Sequence, residues 1–323
     1  MRAFVTGGTG FLGTHLVNAL LAQGSAVTCL VRSPAKAAGL ERKGVRLVAG
    51  DLAAAGALEA GCRGADVVFH VAGLIAGHNL ADFMATNRDG TAILLRAAEV
   101  APPQRFVFVS SLAAAGPTEP GHPIDEARAP RPVTPYGASK LAGELLVRAA
   151  PFAWTVIRPA LVYGEWDRAF FRLFALANRG LVPLIGDGAQ ELSLLHASDL
   201  TRALVAVPAT ERTAGRVYFA AHSEVVTARA VAEAVARSLG RKSRVLSVPR
   251  PLARVAMGVI GSVAGLAGRP SVVSQARAAE FFAPAWTCRA DALARDANWE
   301  ARIDLATGLR RTAAWYREAG WLS

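Results

Sequence analysis

A tyrosine and a lysine stand four residues apart in the stretch Tyr136-Gly-Ala-Ser-Lys140. On a helix, this spacing places the two side chains on the same face. A free tyrosine has a pKa of about 10 and is a poor base at neutral pH, but a neighbouring ammonium favours the phenolate. The pair therefore predicts a general acid/base group for the interconversion of an alcohol and a carbonyl.

A pair of serines precedes these residues in the sequence. Val109-Ser110-Ser111 closes a predicted strand, and Ser111 lies 25 residues before Tyr136. We expect the carboxyl end of that strand to point at the same site as Tyr136. Because a tyrosine and a lysine at this spacing are common on structural helices, the serine is what makes the group a candidate catalytic set.

A glycine-rich turn at residues 6–13 lies between a predicted strand and a predicted helix. Gly7 permits the tight turn, Gly10 lets the backbone approach a pyrophosphate, and Gly13 allows close packing of helix on sheet. The start of the helix offers free N–H groups and a positive dipole end to phosphates. The turn therefore predicts a dinucleotide site, whose candidate contacts are Gly7, Gly10, Phe11 and Leu12.

The residues after the second predicted strand, 26–31, indicate which nucleotide binds. An acidic side chain there would hold the ribose 2′-hydroxyl of NAD. Arg32 follows the strand instead, with Lys36 close behind and no carboxylate beside them. An arginine suits a 2′-phosphate by charge and by its forked geometry, so we favour NADP(H) over NAD(H). The alternative is that Arg32 stacks on adenine or faces water.

A second turn, Gly50-Asp51-Leu52, follows the third predicted strand. In an open parallel sheet the adenine of a dinucleotide lies at this position. Asp51 can accept the adenine amino hydrogen, and Leu52 can cover the ring. Outside this context Asp51 would be an ordinary turn carboxylate.

Short β-rich runs alternate with helical stretches over the first 160 residues. Strands are predicted at 2–5, 26–31, 45–48, 66–71, 105–109 and 154–158, and helices at 11–22, 82–100 and 136–149. Such alternation requires right-handed crossovers and gives a parallel sheet covered on both faces. We therefore predict an α/β, doubly wound (Rossmann) fold.

The rhythm breaks after Gly164, with helices predicted at 170–179 and 199–207, a strand at 217–220, and a mostly helical remainder. The length of 323 residues exceeds the roughly 150-residue norm of a single domain. We predict an NAD(P)-binding domain at 1–165 plus about 196–222. A smaller, mostly helical substrate lobe is predicted at about 166–195 plus 223–323.

The composition indicates a globular protein, since 52% of residues are hydrophobic and 19% are charged. The cysteines are odd in number and far apart, so we expect reduced thiols in a cytoplasmic protein, with no disulfide framework and no metal site; they are Cys29, Cys62 and Cys288. The net charge of +11 invites a nucleic-acid partner. However, the basic residues do not interleave with aromatics in a stacking platform. We expect a solvated basic surface that helps to attract a phosphorylated cofactor, and no nucleic acid.

Two further observations bear on membranes and secretion. The glycine turn begins at Thr6, and we therefore expect no secretory signal. The longest uncharged apolar run, 255–268, has 14 residues between Arg254 and Arg269, short of the roughly 20 that a spanning helix needs. We favour a buried helix, and the alternative is a peripheral contact at a membrane surface.

Together these residues resemble the extended short-chain dehydrogenase/reductase family, which includes the NAD-dependent epimerases and dehydratases, and the likeness runs nearly end to end. The matching motifs in chain order are the glycine turn at 6–13, Gly50-Asp51-Leu52, His70-Val-Ala-Gly73, Asn87-Arg-Asp-Gly-Thr91, Ser110-Ser111, Tyr136 with Lys140, Arg158-Pro159-Ala-Leu-Val-Tyr163-Gly164, His196-Ala-Ser-Asp199 and the stretch 308–316. So many ordered matches make the resemblance specific.

The resemblance implies roles for the matched positions. Ser111 is expected to hydrogen-bond the reacting oxygen, and Tyr136 to transfer its proton. Lys140 is expected to hold the nicotinamide ribose and to lower the pKa of the tyrosine. Further cofactor contacts are implied for Ala72, Gly73, Pro159 and Val162, the last two beside the nicotinamide.

Three matched residues lie outside the catalytic set. Asn87 either bridges neighbouring loops or takes part in catalysis, and both interpretations stay open. His196 and Asp199 are interpreted as a structural link between the lobes. A homodimer through the two long helices of the cofactor domain is common in the family, and we expect one here.

A departure from the family pattern bears on the substrate. Nucleotide-sugar epimerases and dehydratases usually carry Arg-Asp-Phe before the His-x-x-Asp motif, and that arginine pairs with the diphosphate of the substrate. The matching positions here are Leu192-Ser193-Leu194, although another arginine could substitute, the candidates being Arg168, Arg172 and Arg179. The second lobe is also rich in apolar side chains, which resembles the 3β-hydroxysteroid dehydrogenase and dihydroflavonol reductase branch.

The leading hypothesis is an oxidoreductase that moves hydride between NADP(H) and a carbonyl or secondary alcohol on a hydrophobic, cyclic small molecule, with Tyr136 as general acid/base. The alternative is a nucleotide-sugar epimerase or dehydratase with a tightly held NAD. A second alternative is a cofactor-binding module without turnover. The intact set of Ser111, Tyr136 and Lys140 argues against that module.

Overall fold

The computed structural model describes residues 1–240, 244–266 and 278–322, with backbone alone for 261–266 and 278. The strands in these ranges are β1 Arg2–Thr6, β2 Ala26–Val31, β3 Arg46–Ala49, β4 Val67–His70, β5 Arg105–Val109, β6 Trp154–Pro159, β7 Leu161–Tyr163, β8 Leu181–Ile185, β9 Glu191–His196, β10 Arg216–Ala220, β11 Val225–Thr227, β12 Arg244–Val248 and β13 Ala285–Trp286. The α-helices are α1 Phe11–Ala22, α2 Pro34–Glu41, α3 Ala55–Cys62, α4 Leu80–Met84, α5 Gly90–Val100, α6 Leu112–Ala115, α7 Pro135–Arg148, α8 Arg168–Asn178, α9 Ala197–Ala206, α10 Ala228–Ser238, α11 Arg250–Leu266, α12 Ala278–Phe282, α13 Asp291–Ala297 and α14 Leu305–Glu318. A π-helical turn, Ala85–Asp89, joins α4 to α5.

Seven strands form one parallel sheet in the order β3-β2-β1-β4-β5-β6-β10. Every residue of β4 and β5 is buried, and valine and phenylalanine predominate in both, as suits strands covered on two faces. The strand order reverses between β1 and β4, which leaves a crevice at the carboxyl edge of the sheet. The predicted doubly wound fold is confirmed.

Two apolar cores cover the two faces of this sheet. Consecutive strand residues point to opposite faces, so Val5 packs with Leu16 of α1 in one core and Phe4 packs with Leu94 of α5 in the other. The carboxyl edge is therefore held by rigid elements on both sides.

The remaining elements surround a third core. β9 pairs with antiparallel β11 and with parallel β7 and β13, while β8 pairs with β12. The third core contains Phe174 of α8, Val231 of α10 and Tyr316 of α14. Between these elements in sequence, β10 returns to the main sheet beside β6. The division into two lobes at the boundaries given above stays a prediction.

The apolar run at 255–268 lies mostly in α11, and the expectation of a buried helix is wrong because most of its described side chains are exposed. Val255 and Val259 are 66% and 57% exposed. The inward face of α11 is filled by Ala253 and Met257, so the helix carries more apolar side chains than the protein behind it can cover. The last two residues of the run lie outside the described residues. Within the described ranges, no helix combines the length and hydropathy required to cross a bilayer.

Candidate active site

The glycine turn lies at the point where the strand order reverses. The backbone of Gly7 has φ +78°, and a Cβ on this residue would lie 2.7 Å from the backbone nitrogen of Ala72, which follows β4. A Cβ on Gly13 would collide with the carbonyl oxygen of Gly7. Gly10 donates its N–H to that same oxygen at 2.9 Å. Glycine is therefore required where helix α1 crosses the end of β1.

The N-terminus of α1 fits a bound pyrophosphate. Phe11 begins the helix directly after Gly10, and among the described residues no side chain caps this end. The first turn of α1 contains no acidic side chain. Uncapped N–H groups and the positive end of the helix dipole are what a phosphate requires. Leu12 and Phe11 are both half-buried beside this end.

The residues expected around the adenosine meet at the same edge of the sheet. Arg32 is exposed directly after β2, and Lys36 is exposed on α2. Gly50 donates its N–H to Val31 of β2 at 3.0 Å, which brings the second turn beside Arg32. Asp51 is exposed, and its Oδ1 accepts a hydrogen bond from the Ala53 N–H at 2.9 Å. Leu52 is half-buried and packs against Gly90 of α5.

Lys140 is buried on α7, and its side chain reaches the carboxyl edge of the sheet. The Nζ donates a hydrogen bond to the carbonyl oxygen of Val109 at 2.7 Å and lies 4.4 Å from the centre of the Phe108 ring. A Cβ on Gly73 would approach this Nζ to 3.5 Å. Burial lowers the pKa of Lys140 to about 8, and the Glu144 carboxylate opposes this shift.

Tyr136 stands in the first turn of the same helix, with 8% of its surface exposed. The hydroxyl of Thr134 caps this turn by accepting the Gly137 N–H at 3.1 Å. The ring of Tyr136 lies 6.0 Å from that of Phe83, and the two belong to one apolar cluster. The cluster also contains Leu112, Ala113, Ala115, Ala160, Phe219, Ala221, Ala283, Trp286 and Cys288, with Leu74, Ile124 and Leu192 packed against it.

The two serines at the end of β5 have different surroundings. Ser111 is half-buried and caps α6, because its hydroxyl accepts the Ala113 N–H at 3.1 Å. A Cβ on Gly137 would collide with the carbonyl oxygen of Ala113, so α6 packs tightly against the start of α7. The structure thus places Ser111 and Tyr136 on two contacting elements. Ser110 is buried and donates its hydroxyl hydrogen to Glu144.

A buried ion pair supports helix α7, and the sequence did not reveal it. The Nη2 of Arg158 lies 2.6 Å from Oε2 of Glu144, and both side chains are almost fully buried. Glu144 follows Lys140 by one helical turn and also accepts the Ser110 hydroxyl. The signal in the sequence was Arg158 itself, a cation in an otherwise apolar buried strand, which requires an anionic partner.

Asn87 bridges two parts of the site, which is one of the two interpretations left open above. Its Oδ1 accepts the Leu74 N–H at 2.7 Å, and its Nδ2 donates to the Leu74 carbonyl and to the Ser139 hydroxyl. The side chain therefore holds the loop after β4 against α7. The π-helical turn around Asn87 aims the amide at this loop.

His70, the first residue of the His70-Val-Ala-Gly73 motif, is fully buried at the end of β4. Its Nδ1 lies 2.7 Å from the Thr6 hydroxyl and its Nε2 lies 2.9 Å from the Thr91 hydroxyl. Thr91 donates to the Asn87 carbonyl, so its hydroxyl oxygen accepts from Nε2–H. Burial, with a smaller contribution from the Lys140 charge, lowers the pKa of His70 to about 3. A neutral imidazole thus ties β1, β4 and α5 together beneath the crevice.

The later motif residues also lie near the edge of the sheet. Pro159 is buried at the end of β6, and Val162 is half-buried on β7. The Oδ2 of Asp199 accepts the N–H groups of Arg302 and Ile303 at 2.9 and 2.8 Å, which ties α9 to the segment before α14.

His196 ends β9, where its Nδ1 accepts the Ser198 N–H at 3.2 Å and its Nε2 lies 3.4 Å from the Glu165 carboxylate. Burial lowers the pKa of His196 to about 4, although the Glu165 carboxylate opposes the shift. These contacts join β9 to the start of α9 and to the segment that follows β7.

The positions matched to Arg-Asp-Phe are apolar or internally bonded. Leu192 packs against the cluster around Tyr136. The Ser193 hydroxyl is buried and accepts the Cys288 N–H at 3.1 Å. Of the arginines that could substitute, Arg168 stacks over Trp321, with 5.1 Å between the guanidinium and the ring centre.

The cysteines are all free and buried. Burial raises the pKa of the Cys29 and Cys62 thiols to about 12, and it also raises that of Cys288. No group of His, Cys, Asp or Glu in the described part of the chain could hold a metal ion.

The fold and this site define an NAD(P)-dependent enzyme of the extended short-chain dehydrogenase/reductase type. A model of the NAD dependent epimerase/dehydratase family matches residues 3–221, and the chain belongs to this family. The predicted resemblance is confirmed. Membership in a family of enzymes also argues against the hypothesis of a cofactor-binding module without turnover.

Three similar proteins illustrate the range of the family. A ceramide reductase from Caulobacter vibrioides is 33% identical over 319 residues, covering 98% of this chain and 95% of that protein. A 4-hydroxy-2-methyl-3-oxo-4-farnesyl-3,4-dihydroquinoline-1-oxide ketoreductase from Stigmatella aurantiaca is 34% identical over 263 residues, covering 79% and 78%. The structure of a dTDP-glucose 4,6-dehydratase from Streptomyces venezuelae, with NAD and TYD bound, superposes with a TM-score of 0.81 at 26% identity, covering 100% of this chain and 99% of that one.

Proposed function

We propose that this enzyme uses NADP(H) to interconvert a carbonyl and a secondary alcohol on a hydrophobic small molecule. The observation that carries the proposal is the apolar cluster in which Tyr136 packs. Leu192 joins that cluster at the position where nucleotide-sugar enzymes of the family carry an arginine. A site bordered by these apolar side chains favours a hydrocarbon substrate. A diphosphate placed there would lose its hydration without gaining a cationic partner.

The names of two relatives support this substrate class. Ceramide and a farnesylated dihydroquinoline are both hydrophobic, and both relatives are described as reductases. The first has long aliphatic chains and the second has a ring system, so both kinds of ketone belong in a substrate test. The leading hypothesis of a cyclic substrate therefore stands beside that of a long-chain substrate.

The side chains at the end of β5 and on α7 account for the proton transfer. In the reduction direction, the Tyr136 phenol donates its proton to the carbonyl oxygen, and the Ser111 hydroxyl donates a hydrogen bond to the same oxygen. The Lys140 ammonium favours the phenolate that is left behind. Bound NADPH supplies the hydride that reaches the carbonyl carbon. In the oxidation direction, Tyr136 takes the proton of the alcohol.

The nucleotide is proposed to lie along the carboxyl edge of the sheet. The pyrophosphate is assigned to the glycine turn, the 2′-phosphate to Arg32, and the adenine to Asp51 and Leu52. The nicotinamide half is assigned to Ala72, Gly73, Lys140, Pro159 and Val162. The tight approach of Gly73 to Lys140 fits the bound ribose, because a side chain there would occupy the space beside the ammonium.

The preference for NADP(H) can be tested at Arg32. Arg32→Ala removes the proposed partner of the 2′-phosphate, so the Kd for NADPH should rise about tenfold or more while that for NADH stays unchanged. Arg42→Ala, at an exposed arginine just after α2, is the matched control. Tighter binding of NADH than of NADPH by the wild-type protein would contradict the proposal.

The reaction can be tested by following NADPH absorbance with long-chain ketones, cyclic ketones and dTDP-glucose. We expect turnover of a hydrophobic ketone, and Tyr136→Phe should lower it by about 10²- to 10⁴-fold while nucleotide binding is kept. Tyr218→Phe is the control, because that hydroxyl donates to Asp296 at 2.8 Å, away from the catalytic set. Conversion of dTDP-glucose without net NADPH consumption would instead establish the epimerase or dehydratase alternative.

We further propose that the enzyme is a homodimer joined through α5 and α7. Leu145 of α7 is 55% exposed, whereas Lys140 and Glu144 of the same helix are buried. Light scattering should give the mass of two chains, and Leu145→Arg should give that of one. A monomeric wild-type protein would refute this arrangement.

A further inference from the structure

The outer face of α11 is an exposed apolar stripe. Leu252, Val255, Val259 and Ile260 are 61%, 66%, 57% and 49% exposed. Their spacing of three, seven and eight residues from the first places them on one side of a helix. Single exposed apolar residues are ordinary on a protein surface, whereas a contiguous stripe marks an interaction site.

The charged residues in the segment that contains this stripe are all basic. Between Glu233 and Glu280 the sequence has eight Lys or Arg residues and no Asp or Glu, so it accounts for most of the net charge of +11. Arg244, Arg250 and Arg254 of this segment are exposed. A second copy of the chain would bring the same positive charge against itself, while an anionic partner is attracted. Apolar side chains on a helix within a basic segment are typical of binding to an anionic lipid surface.

Two paired strands near α11 in the sequence also expose leucine side chains. Strand β12 directly precedes α11 in the sequence and pairs with β8, and Leu246 of β12 and Leu181 of β8 are 48% and 45% exposed. A bilayer interface can bury apolar side chains from more than one element, because it requires no fixed pairing between residues.

Contacts connect α11 to the active site through α12. Arg250 donates from Nη2 to the Phe282 carbonyl at 2.8 Å, and the Arg254 guanidinium lies 4.8 Å from the centre of the Phe282 ring. On α12, Glu280 accepts the Thr134 hydroxyl at 2.9 Å. Thr134 caps the helix turn that carries Tyr136. The apolar stripe is therefore joined by two layers of contacts to the cluster around the catalytic tyrosine.

We propose that the outer face of α11 docks the enzyme on anionic lipid bilayers, from which the hydrophobic substrate enters the site at Tyr136. The docking stands on the exposed stripe and the basic segment alone, and the substrate entry rests on the function proposed above.

The test is sedimentation of the full-length protein with phosphatidylcholine vesicles, prepared with and without phosphatidylglycerol. We expect binding to the anionic vesicles, weakened by salt, and little binding to the neutral ones. Leu252→Ser/Val255→Ser should lower the partition coefficient by about tenfold or more. Leu176→Ser/Val225→Ser, which also changes one exposed leucine and one exposed valine, should leave it unchanged.

Equal sedimentation of Leu252→Ser/Val255→Ser and the wild type would overturn the docking surface, as would equal binding to neutral vesicles. A fall in mass by light scattering in this variant would show that the stripe joins two copies of the chain, which also overturns it.

With a water-soluble ketone, the variant should match the wild type, whereas a vesicle-embedded ketone should be reduced more slowly. Loss of that difference refutes the entry route. Absence of any turnover refutes the function, while sedimentation still decides the docking.

Discussion

Replacing the buried lysine of the candidate active site by methionine should stabilise the protein at neutral pH, and under the proposed mechanism it should also remove activity. Lys140 has 3% of its surface exposed, and burial lowers its pKa from 10.5 to about 8. At about 1.4 kcal/mol for each pKa unit, holding this ammonium in the fold costs about 3 kcal/mol at pH 7. Lys140→Met removes that cost.

The substitution also removes the hydrogen bond from Nζ to Val109, worth about 1–2 kcal/mol. Glu144 keeps Arg158 as a partner, so no buried charge is left alone. The net expectation for Lys140→Met is a gain of about 1–2 kcal/mol in the free energy of unfolding at pH 7.

The sign of this difference should reverse with pH. The unfolded chain keeps the lysine proton up to about pH 10.5, whereas the folded chain releases it near pH 8. Between these values the unfolded state binds more protons, so the wild type gains stability as the pH rises. By pH 10.5 the advantage of the methionine variant should be lost, and the missing hydrogen bond should make it slightly less stable than the wild type.

Urea unfolding of the cofactor-free protein, followed by tryptophan fluorescence at pH 7, 9 and 10.5, measures this difference. Lys36→Met, at an exposed lysine on α2, is the control and should show no change in stability at any of the three pH values. The reasoning is refuted if Lys140→Met is less stable than the wild type at pH 7, or if the difference stays constant up to pH 10.5.

Three further substitutions test the surroundings of the site. Arg158→Met leaves Glu144 buried without its cation and should lower the free energy of unfolding in urea by about 3–5 kcal/mol. The double variant Arg158→Met/Glu144→Met should recover most of this loss. Equal losses in both variants would show that the ion pair is not the cause. The folded pKa of His70, about 3, lies below its unfolded value of 6.5, so stability is lost as the pH falls through that window. His70→Asn should therefore flatten the fall in Tm between pH 7 and 4. An unchanged slope would contradict this. Gly13→Ala collides with the Gly7 carbonyl and should abolish nucleotide binding by calorimetry, while Gly56→Ala, whose Cβ meets open space, should bind normally; binding by both would refute the role of the turn.

The sequence predicts well those elements whose ends are marked locally. The bounds of α1, β2 and β5 match their predicted ranges, because glycine or polar residues flank short apolar runs. The predicted helix at 82–100 is interrupted by the π-helical turn Ala85–Asp89, which depends on the contacts of Asn87 rather than on local preference. The strands β7, β8 and β9 were missed, since each is defined by pairing with a segment far along the chain.

The site shows the same division between local and distant information. The spacing of Tyr136 and Lys140 on one helix follows from the sequence alone. The pairing of Glu144 with Arg158, and the position of His70 between Thr6 and Thr91, appear only when the strands are assembled side by side. The exposure of α11 was not predicted because an apolar run carries no sign of which of its faces the protein covers.

The central proposal is hydride transfer between NADP(H) and a hydrophobic ketone, and isotope transfer tests it most directly. The purified protein would be incubated with NADPH that carries deuterium at both C4 positions of the nicotinamide, together with long-chain and cyclic ketones. The product alcohol would then be examined by mass spectrometry. We predict one deuterium on the carbinol carbon for each NADP⁺ formed. Unlabelled products, together with dTDP-glucose converted by a protein that releases stoichiometric NAD⁺ on denaturation, would contradict the proposal.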